Sequence, residues 1–147
     1  MANYNGFHVV ADLYGCKNKA ALNAINLREL RTEIVKAGMR VAKTSVYSFK
    51  AEDNSGSYSF TFILYESHVS CHTWPELNQA NIDIYVCNYS KDNTPGALQV
   101  YEFMKKLYQP TKIKPQFVRR GKLPELNSSL FSKIVDFFCT LWKKFRQ

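Results

Sequence analysis

Residues 65–76 concentrate the side chains that can do chemistry in this sequence. They read Tyr-Glu-Ser-His-Val-Ser-Cys-His-Thr-Trp-Pro-Glu and follow a strongly apolar stretch. Ser67 and His72 could act as a nucleophile and its general base. Alternatively, His68, Cys71 and His72 offer the imidazole and thiolate ligands that transition metals take. Each pattern alone is weak, because a single serine or histidine at a strand end usually makes a structural hydrogen bond.

Five stretches of the chain have the apolar alternation or the aromatic and β-branched content of strands. They cover residues 7–14, 40–49, 58–65, 81–87 and 111–119. Pro115 weakens the last stretch, because proline cannot donate a hydrogen bond to a central ladder. Strand parity puts Cys87 on the face opposite Ile84 and Val86, away from the apolar side.

Two helices should pack on these strands. A helix capped by Asn18 is expected to run to about residue 37, where Gly38 supplies a left-handed stop. A second helix begins at Thr94 and Pro95, as N-cap and N1. Their apolar stripes are Leu22, Ile25, Leu30 and Ile34, and Leu98, Tyr101, Met104, Leu107 and Tyr108.

The order of these elements predicts the fold class. Strand-helix-strand-strand-strand-helix-strand is typical of an α+β protein, here a two-layer α/β sandwich with a mainly antiparallel sheet and its helices on one face. The other face of the sheet is then free for a ligand or a partner subunit. We assign residues 1–126 to this domain.

A further helix is expected after the domain, within residues 127–147. Its apolar stripe is Leu130, Ile134, Phe138, Leu141 and Phe145, and it carries the basic residues Lys133, Lys143, Lys144 and Arg146. We expect the stripe to dock on its own domain or across a dimer, because docking buries it without anionic lipid. A membrane-surface or partner-binding helix is the alternative.

Composition and charge exclude several classes of protein. The chain has 147 residues, 46% of them hydrophobic, which suits one domain with a core and not a disordered chain. Residues 1–103 hold 9 Lys/Arg and 10 Asp/Glu, and residues 104–147 hold 11 and 2, so the net charge of +8 belongs to the C-terminal third. We therefore expect no nucleic-acid partner.

The cysteines and the first residues indicate the compartment. The four cysteines form no C-x-x-C pair, which argues against a zinc ribbon and a disulfide scaffold. Residues 1–5 have neither the basic nor the apolar segment of a secretory signal. We expect a reduced, cytoplasmic protein without a metal centre.

One combination of residues is far more specific than any lone triad. Glu-Ser-His at 66–68 and His-Thr-Trp-Pro-Glu at 72–76, followed by Asp83 and Cys87, resembles the signature of the bacterial and archaeal S-adenosylmethionine decarboxylase proenzymes. The opening stretch at 8–16 resembles the start of that family, and the similarity covers roughly residues 6–108. The resemblance implies a self-cleaving enzyme whose cofactor is a covalent pyruvoyl group.

The resemblance implies cleavage between Glu66 and Ser67, which gives a β chain of residues 1–66 and an α chain from residue 67. The Ser67 hydroxyl attacks the carbonyl carbon of Glu66, and elimination and hydrolysis leave the pyruvoyl group. His72 resembles the processing base and Ser59 a second processing serine. Ser59 and Ser67 share a face if one strand continues through both, and cooperation of Ser67 with His72 requires a turn around residues 68–71.

The resemblance also implies the catalytic groups. The keto group forms a Schiff base with the substrate amine and takes up electrons when CO2 leaves. Cys87 resembles the proton donor. Phe49 resembles the residue that stacks on adenine, His72 is expected on the other face of that ring, and Glu76 is a candidate for the ribose hydroxyls.

Departures from the family pattern leave alternatives open. Asn88 follows Cys87 where the family usually has glycine, and residues 77–79 differ in character. We expect a homodimer of cleaved protomers that makes decarboxylated S-adenosylmethionine for spermidine synthesis. The alternatives are a pyruvoyl-dependent ornithine or arginine decarboxylase, or a non-catalytic homologue that acts through its basic C-terminal helix.

Overall fold

The computed structural model describes residues 6–23, 27–49, 56–89 and 91–121. The described chain forms six strands and three α-helices. The strands are β1 Gly6–Tyr14, β2 Val41–Ser48, β3 Tyr58–Leu64, β4 Ser67–Trp74, β5 Gln79–Cys87 and β6 Lys112–Arg120. The helices are α1 Lys19–Asn23, α2 Leu27–Lys36 and α3 Thr94–Tyr108, and a 3-10 turn spans Pro75–Leu77.

The six strands form one sheet in the order β2-β3-β4-β5-β1-β6, and each pair of neighbours is antiparallel. The helices pack on one side of it, with α3 across β1 and β5, α1 against β4 and α2 against β2. The predicted α+β fold, with an antiparallel sheet and helices on one face, is confirmed. We call the covered side the helix face and the other side the open face.

The core lies between the helices and the helix face. In β1, β3, β4 and β5 most residues of one parity are buried there, and most of those of the other parity are partly or fully exposed, as the pleat requires. The buried set includes Val9, Leu13, Phe62, Val69, Ile84 and Val86 from the strands and Leu30, Ile34, Val100 and Met104 from the helices. Each buried aliphatic side chain of this size contributes about 1.5–3 kcal/mol of transfer free energy.

The largest difference from the sequence analysis lies at residues 67–74. They form strand β4, so the turn at residues 68–71 that cooperation of Ser67 with His72 would require is absent, and the sheet has six strands instead of five. The chain reverses earlier, at Tyr65 and Glu66. Val69, Cys71 and Thr73 are buried while the residues between them are not, which is the period-2 pattern of a half-buried strand.

The helix ends largely follow their predicted signals. The Asn18 side chain accepts a hydrogen bond from the Ala21 N–H at 3.1 Å, and Gly38 has a φ of 80°. The single helix expected from residue 18 to 37 is described as α1 and α2, with residues 24–26 outside the described part. The N-cap of α3 is Asn93 and not Thr94.

Strand β6 tolerates its proline because of its position. It pairs with β1, and Pro115 lies opposite Ala11 at the margin of the sheet, where one side of the strand needs no ladder partner. The C-terminal helix expected within residues 127–147 lies outside the described residues. Among the helices that are described, none is long and apolar enough to cross a membrane.

A polar cluster is buried beneath the β3–β4 hairpin. The Tyr108 hydroxyl lies 3.3 Å from the Tyr58 hydroxyl and 3.4 Å from the Cys71 sulfur, and the Tyr58 hydroxyl donates to the carbonyl of Ala21. Burial raises the pKa of the Cys71 thiol from 9.0 to about 12, and burial also raises the pKa of both tyrosines. All three groups are therefore neutral in the folded protein at physiological pH.

We expect this cluster to limit stability in alkali. Above pH 9 the unfolded Cys71 thiol loses its proton while the folded one keeps it, so the free energy of unfolding falls as pH rises from 9 to 12. The loss reaches ~1.4 kcal/mol per pH unit for each such group. Urea unfolding at pH 8, 9 and 10 should show a shallower decline for Cys71→Ala, and identical declines would contradict this assignment.

Candidate functional site

The β3–β4 hairpin determines which of the candidate side chains lie next to each other. Its register pairs Ser59 with His72 and Leu64 with Ser67. Paired residues of an antiparallel ladder point to the same face. Ser59 and His72 therefore lie together on the open face, where the Ser59 hydroxyl and His72 Nδ1 share a hydrogen bond of 2.6 Å.

The Ser59–His72 pair lines a small cavity. The cavity has a volume of about 180 Å³ and is bordered by Phe49, Ser57, Ser59, His72, Thr73 and Trp74. Glu76 adjoins it, because the Ser57 hydroxyl donates to Glu76 Oε2 at 3.4 Å. Four of the residues singled out in the sequence, Phe49, Ser59, His72 and Glu76, thus gather at one place.

Ser67 lies elsewhere. It opens β4 opposite Val86, on the helix face, so the expectation that it shares a face with Ser59 is wrong. That expectation assumed a continuous strand, whereas the chain turns back at Tyr65. His72 lies five positions after Ser67 along the strand, which is ~16 Å at 3.3 Å per residue. Within one chain, the His72 imidazole cannot reach the Ser67 hydroxyl.

Glu66 holds the peptide bond that precedes Ser67. The Cys87 N–H donates to the carbonyl oxygen of Glu66 at 3.1 Å, one position beyond the last Ser67–Val86 pair of the ladder. Asn93 donates from its side-chain amide to Glu66 Oε2 at 3.2 Å. A cavity of about 320 Å³, lined in part by Arg40 and Lys91, adjoins Glu66 and Ser67.

Cys87 is the accessible thiol of the described chain. It is partly exposed at the end of β5 on the open-face parity, as the sequence predicted, whereas Cys16 is 2% and Cys71 0% exposed. Cys139 lies outside the described residues. The backbone N–H of Cys87 contacts the Glu66 carbonyl while its side chain remains available for chemistry.

The open face also carries a group of two histidines and a carboxylate. His8 Nε2 and His68 Nε2 lie 2.8 and 3.0 Å from the same oxygen, Asp83 Oδ1. These three ligand atoms lie within 4.8 Å of one another and could hold a transition metal. The alternative ligand set of His68, Cys71 and His72 is wrong, because Cys71 is buried on the helix face and His72 pairs with Ser59.

Tyr85 packs among these groups and was missed by the sequence analysis. Its ring centre lies 5.6 Å from that of His8 and 5.8 Å from that of His68, and the Arg120 guanidinium lies 4.7 Å from the Tyr85 ring centre. The ring also covers Gly6, where an added Cβ would lie 2.6 Å from it. A glycine opposite Cys87 at the start of β1 was the available signal, since close backbone approach requires it.

The fold and this arrangement define a class: a two-layer α+β protein whose serine, histidine and cysteine groups lie on one hairpin and the strand beside it. Residues 7–121 match the family model described as S-adenosylmethionine decarboxylase. The chain belongs to the S-adenosylmethionine decarboxylase family.

Individual relatives agree with this membership. The chain is 34% identical over 120 residues to the S-adenosylmethionine decarboxylase proenzyme of Persephonella marina, a match that covers 81% of this chain and 84% of that protein. It is 32% identical to the proenzyme of Thermoplasma volcanium, over 80% and 85% of the two chains. The crystal structure of the adenosylmethionine decarboxylase of Aquifex aeolicus superposes with a TM-score of 0.68 at 28% identity, covering 84% of this chain and 97% of that one.

We expect an alkylating reagent to distinguish the cysteines. Iodoacetamide at neutral pH should modify Cys87 well before Cys16 and Cys71, because both of these are enclosed by the core. Mass spectrometry of peptides from a time course measures the order. In urea the three residues should react at similar rates, and equally fast labelling of Cys71 in the folded protein would contradict the packing described.

Proposed function

We propose that this chain is a proenzyme that cuts itself between Glu66 and Ser67 and then decarboxylates S-adenosylmethionine. One observation carries the proposal: the 3.1 Å hydrogen bond from the Cys87 N–H to the Glu66 carbonyl oxygen. This donor polarises the carbonyl that the Ser67 hydroxyl must attack and is positioned for the oxyanion that follows. Family membership and relatives named as proenzymes support the same conclusion.

The cleavage uses only atoms of the chain and water. Ser67 Oγ bonds to the carbonyl carbon of Glu66 while the peptide C–N bond breaks and the hydroxyl proton passes to the freed nitrogen. Loss of the Ser67 α-proton expels the Glu66 carboxylate, and water then replaces nitrogen and releases ammonia. Residues 1–66 end in a new carboxylate, and residues 67–147 begin with a pyruvoyl group.

The residues present fit such a group. Ser67 directly follows a two-residue turn, so its nitrogen and hydroxyl lie at the end of the sheet beside a cavity of about 320 Å³. When formed, the pyruvoyl keto group supplies the electron sink for loss of CO2 from an α-amino acid. The Cys87 thiol then gives a proton to the substrate α-carbon, for which its partial exposure beside Glu66 suits it.

The distance between Ser67 and His72 leads us to place each complete site between two chains. His72 is too far along β4 to serve Ser67 of its own chain, so its imidazole and Ser59 act on Ser67 of a second copy. Ser67 has the parity of the helix face, but it is the first residue of β4 and lies at the end of the sheet, so a second copy need not cross the sheet to reach it. The open face is suited to contact with such a copy. Tyr47, Ile63, Trp74 and Val118 lie on it, each more than 40% exposed, although the described helices all pack on the other face.

The cavity beside His72 is suited to the nucleoside of S-adenosylmethionine. Phe49 and Trp74 offer aromatic surface for a purine, and Glu76 offers a carboxylate for hydroxyl groups. Lysine and arginine do not border the cavity among the described residues, which suits a sulfonium cation. The product, decarboxylated S-adenosylmethionine, carries the aminopropyl group from which spermidine is made.

We expect Ser67→Ala to remain one intact chain. Without the hydroxyl no ester forms, whereas the wild-type chain should separate under denaturing conditions into fragments of residues 1–66 and 67–147. Intact-mass spectrometry measures both, and borohydride treatment should abolish release of labelled CO2 from S-adenosylmethionine. A wild-type chain that stays whole and carries unmodified Ser67 would overturn the proposal.

Labelled ornithine and arginine, supplied in parallel, test the alternative substrates. Neither has a purine to fill the Phe49 cavity, so we expect CO2 release from S-adenosylmethionine alone. Phe49→Ala should raise KM for S-adenosylmethionine roughly tenfold, since loss of a base–aromatic stack costs about 1–3 kcal/mol. Faster release of CO2 from ornithine or arginine would show that this amino acid, and not S-adenosylmethionine, is the substrate.

Mixing two inactive variants tests the shared site. Ser67→Ala and His72→Ala chains should each remain uncut alone. When they are unfolded together and refolded, mixed dimers contain one site with both wild-type residues, so the His72→Ala chain, and not the Ser67→Ala chain, should be cut. Absence of cleavage in mixed dimers that form normally would contradict a site built from two chains.

A further inference from the structure

We infer that Asn93 is a positioning residue for self-cleavage, because its side chain holds both Glu66 and Cys87 in place beside the peptide bond that is cut. This inference rests on the proposed function. Asn93 is 8% exposed and precedes the first turn of α3. The two hydrogen bonds of its side-chain amide reach the two residues that flank the cleavage chemistry.

The contacts of Asn93 differ from those of an ordinary N-cap. An asparagine at this position usually accepts a hydrogen bond from a backbone N–H of the first turn. Asn93 makes no such bond. Its Nδ2 instead donates to Glu66 Oε2 at 3.2 Å and to the carbonyl oxygen of Cys87 at 2.8 Å.

These two bonds and the backbone bond from Cys87 to Glu66 link Glu66, Cys87 and Asn93 to one another beside the scissile peptide. Cys87 holds the Glu66 carbonyl through its N–H at 3.1 Å, and Asn93 holds the Glu66 carboxylate and the Cys87 carbonyl. Asn93 is itself held, because Asn88 Oδ1 accepts its backbone N–H at 2.9 Å. The backbone and the side chain of Glu66 are therefore both held relative to the Cys87 N–H, the proposed donor to the oxyanion.

The two hydrogen bonds donated at position 93 require a side-chain NH2 group. An NH2 group can donate two hydrogen bonds at once, and both of its neighbours here are acceptors. Aspartate has nearly the same shape and remains a good N-cap residue, but it cannot donate and would place a carboxylate against the Glu66 carboxylate. Because the Asn93 side chain makes no capping bond, Asn93→Asp removes the two donated hydrogen bonds while keeping a residue type that suits the N-cap position.

The contact also outlasts the cut. Glu66 becomes the last residue of the N-terminal fragment, while Asn93 belongs to the C-terminal fragment. The Asn93–Glu66 hydrogen bond then joins the two fragments and holds the new chain end beside Cys87.

The test follows the rate of self-cleavage of the full chain by intact mass. We expect Asn93→Asp to slow it at least tenfold and Asn93→Ala to slow it as well. Glu66→Gln keeps an acceptor for Asn93, and its own cleavage rate is the single-variant reference for the double variant. In the double variant E66Q/N93D the glutamine amide can donate to the aspartate, so cleavage should be several-fold faster than in Asn93→Asp alone.

Asn18→Ala is the matched control. Asn18 is also a cap asparagine that ties a helix to another element, through the carbonyl of Leu107 at 2.8 Å, but it lies away from the cleavage site. Its loss should lower the melting temperature without slowing cleavage. Wild-type cleavage rates in both Asn93 variants, or a double variant as slow as Asn93→Asp, would overturn the role of Asn93. Failure of the wild-type chain to cleave would instead overturn the proposed function.

Discussion

The tight hairpin between β3 and β4 is the constraint on which the rest of this molecule depends. Its two-residue turn places the Glu66–Ser67 peptide at the very end of the sheet, where the ladder with β5 supplies one more donor. That donor, the Cys87 N–H, takes the Glu66 carbonyl as its acceptor. Because the ladder fixes β4 against β5, the candidate scissile bond and the candidate proton donor are set by the same backbone register.

The same register separates the remaining groups. Side chains alternate between faces along a strand, so an odd offset puts Ser67 and His72 on opposite sides, and five residues of extended chain keep them apart. A flexible loop could have brought them together, but a central strand cannot bend without breaking its ladders on both sides. The groups of the proposed site therefore lie apart within one chain, and this separation is the reason for proposing that a second copy completes it.

The open face combines polar and apolar groups in a way that fits this view. His8 and His68 share one oxygen of Asp83, and the Tyr85 ring packs against both imidazoles. Exposed aromatic and aliphatic side chains lie around this group on neighbouring strands. The helix face has the opposite character, since its polar groups, such as those of Tyr58 and Tyr108, are buried and satisfied within the chain.

The sequence by itself determined the fold class, the helix caps at Asn18 and Gly38, and the parity that sends Cys87 to the open face. These features follow from local rules: apolar periodicity, capping chemistry and the alternation of a strand. The sequence also supplied the family, because its Glu-Ser-His and His-Thr-Trp-Pro-Glu motifs are specific. Local rules failed at residues 67–74, where a run of polar side chains concealed a strand that is buried on one side only.

Only the tertiary structure decided which of these residues contact each other. The pairing of Ser59 with His72, the bond from Cys87 to Glu66 and the contacts of Asn93 each join residues that lie far apart in the chain or on different strands. Their partners depend on where the chain turns and on strand register, and a shift of one residue reverses every face. Sequence spacing carries no direct record of that register, which is why the candidate residues could be named from the sequence and their grouping could not.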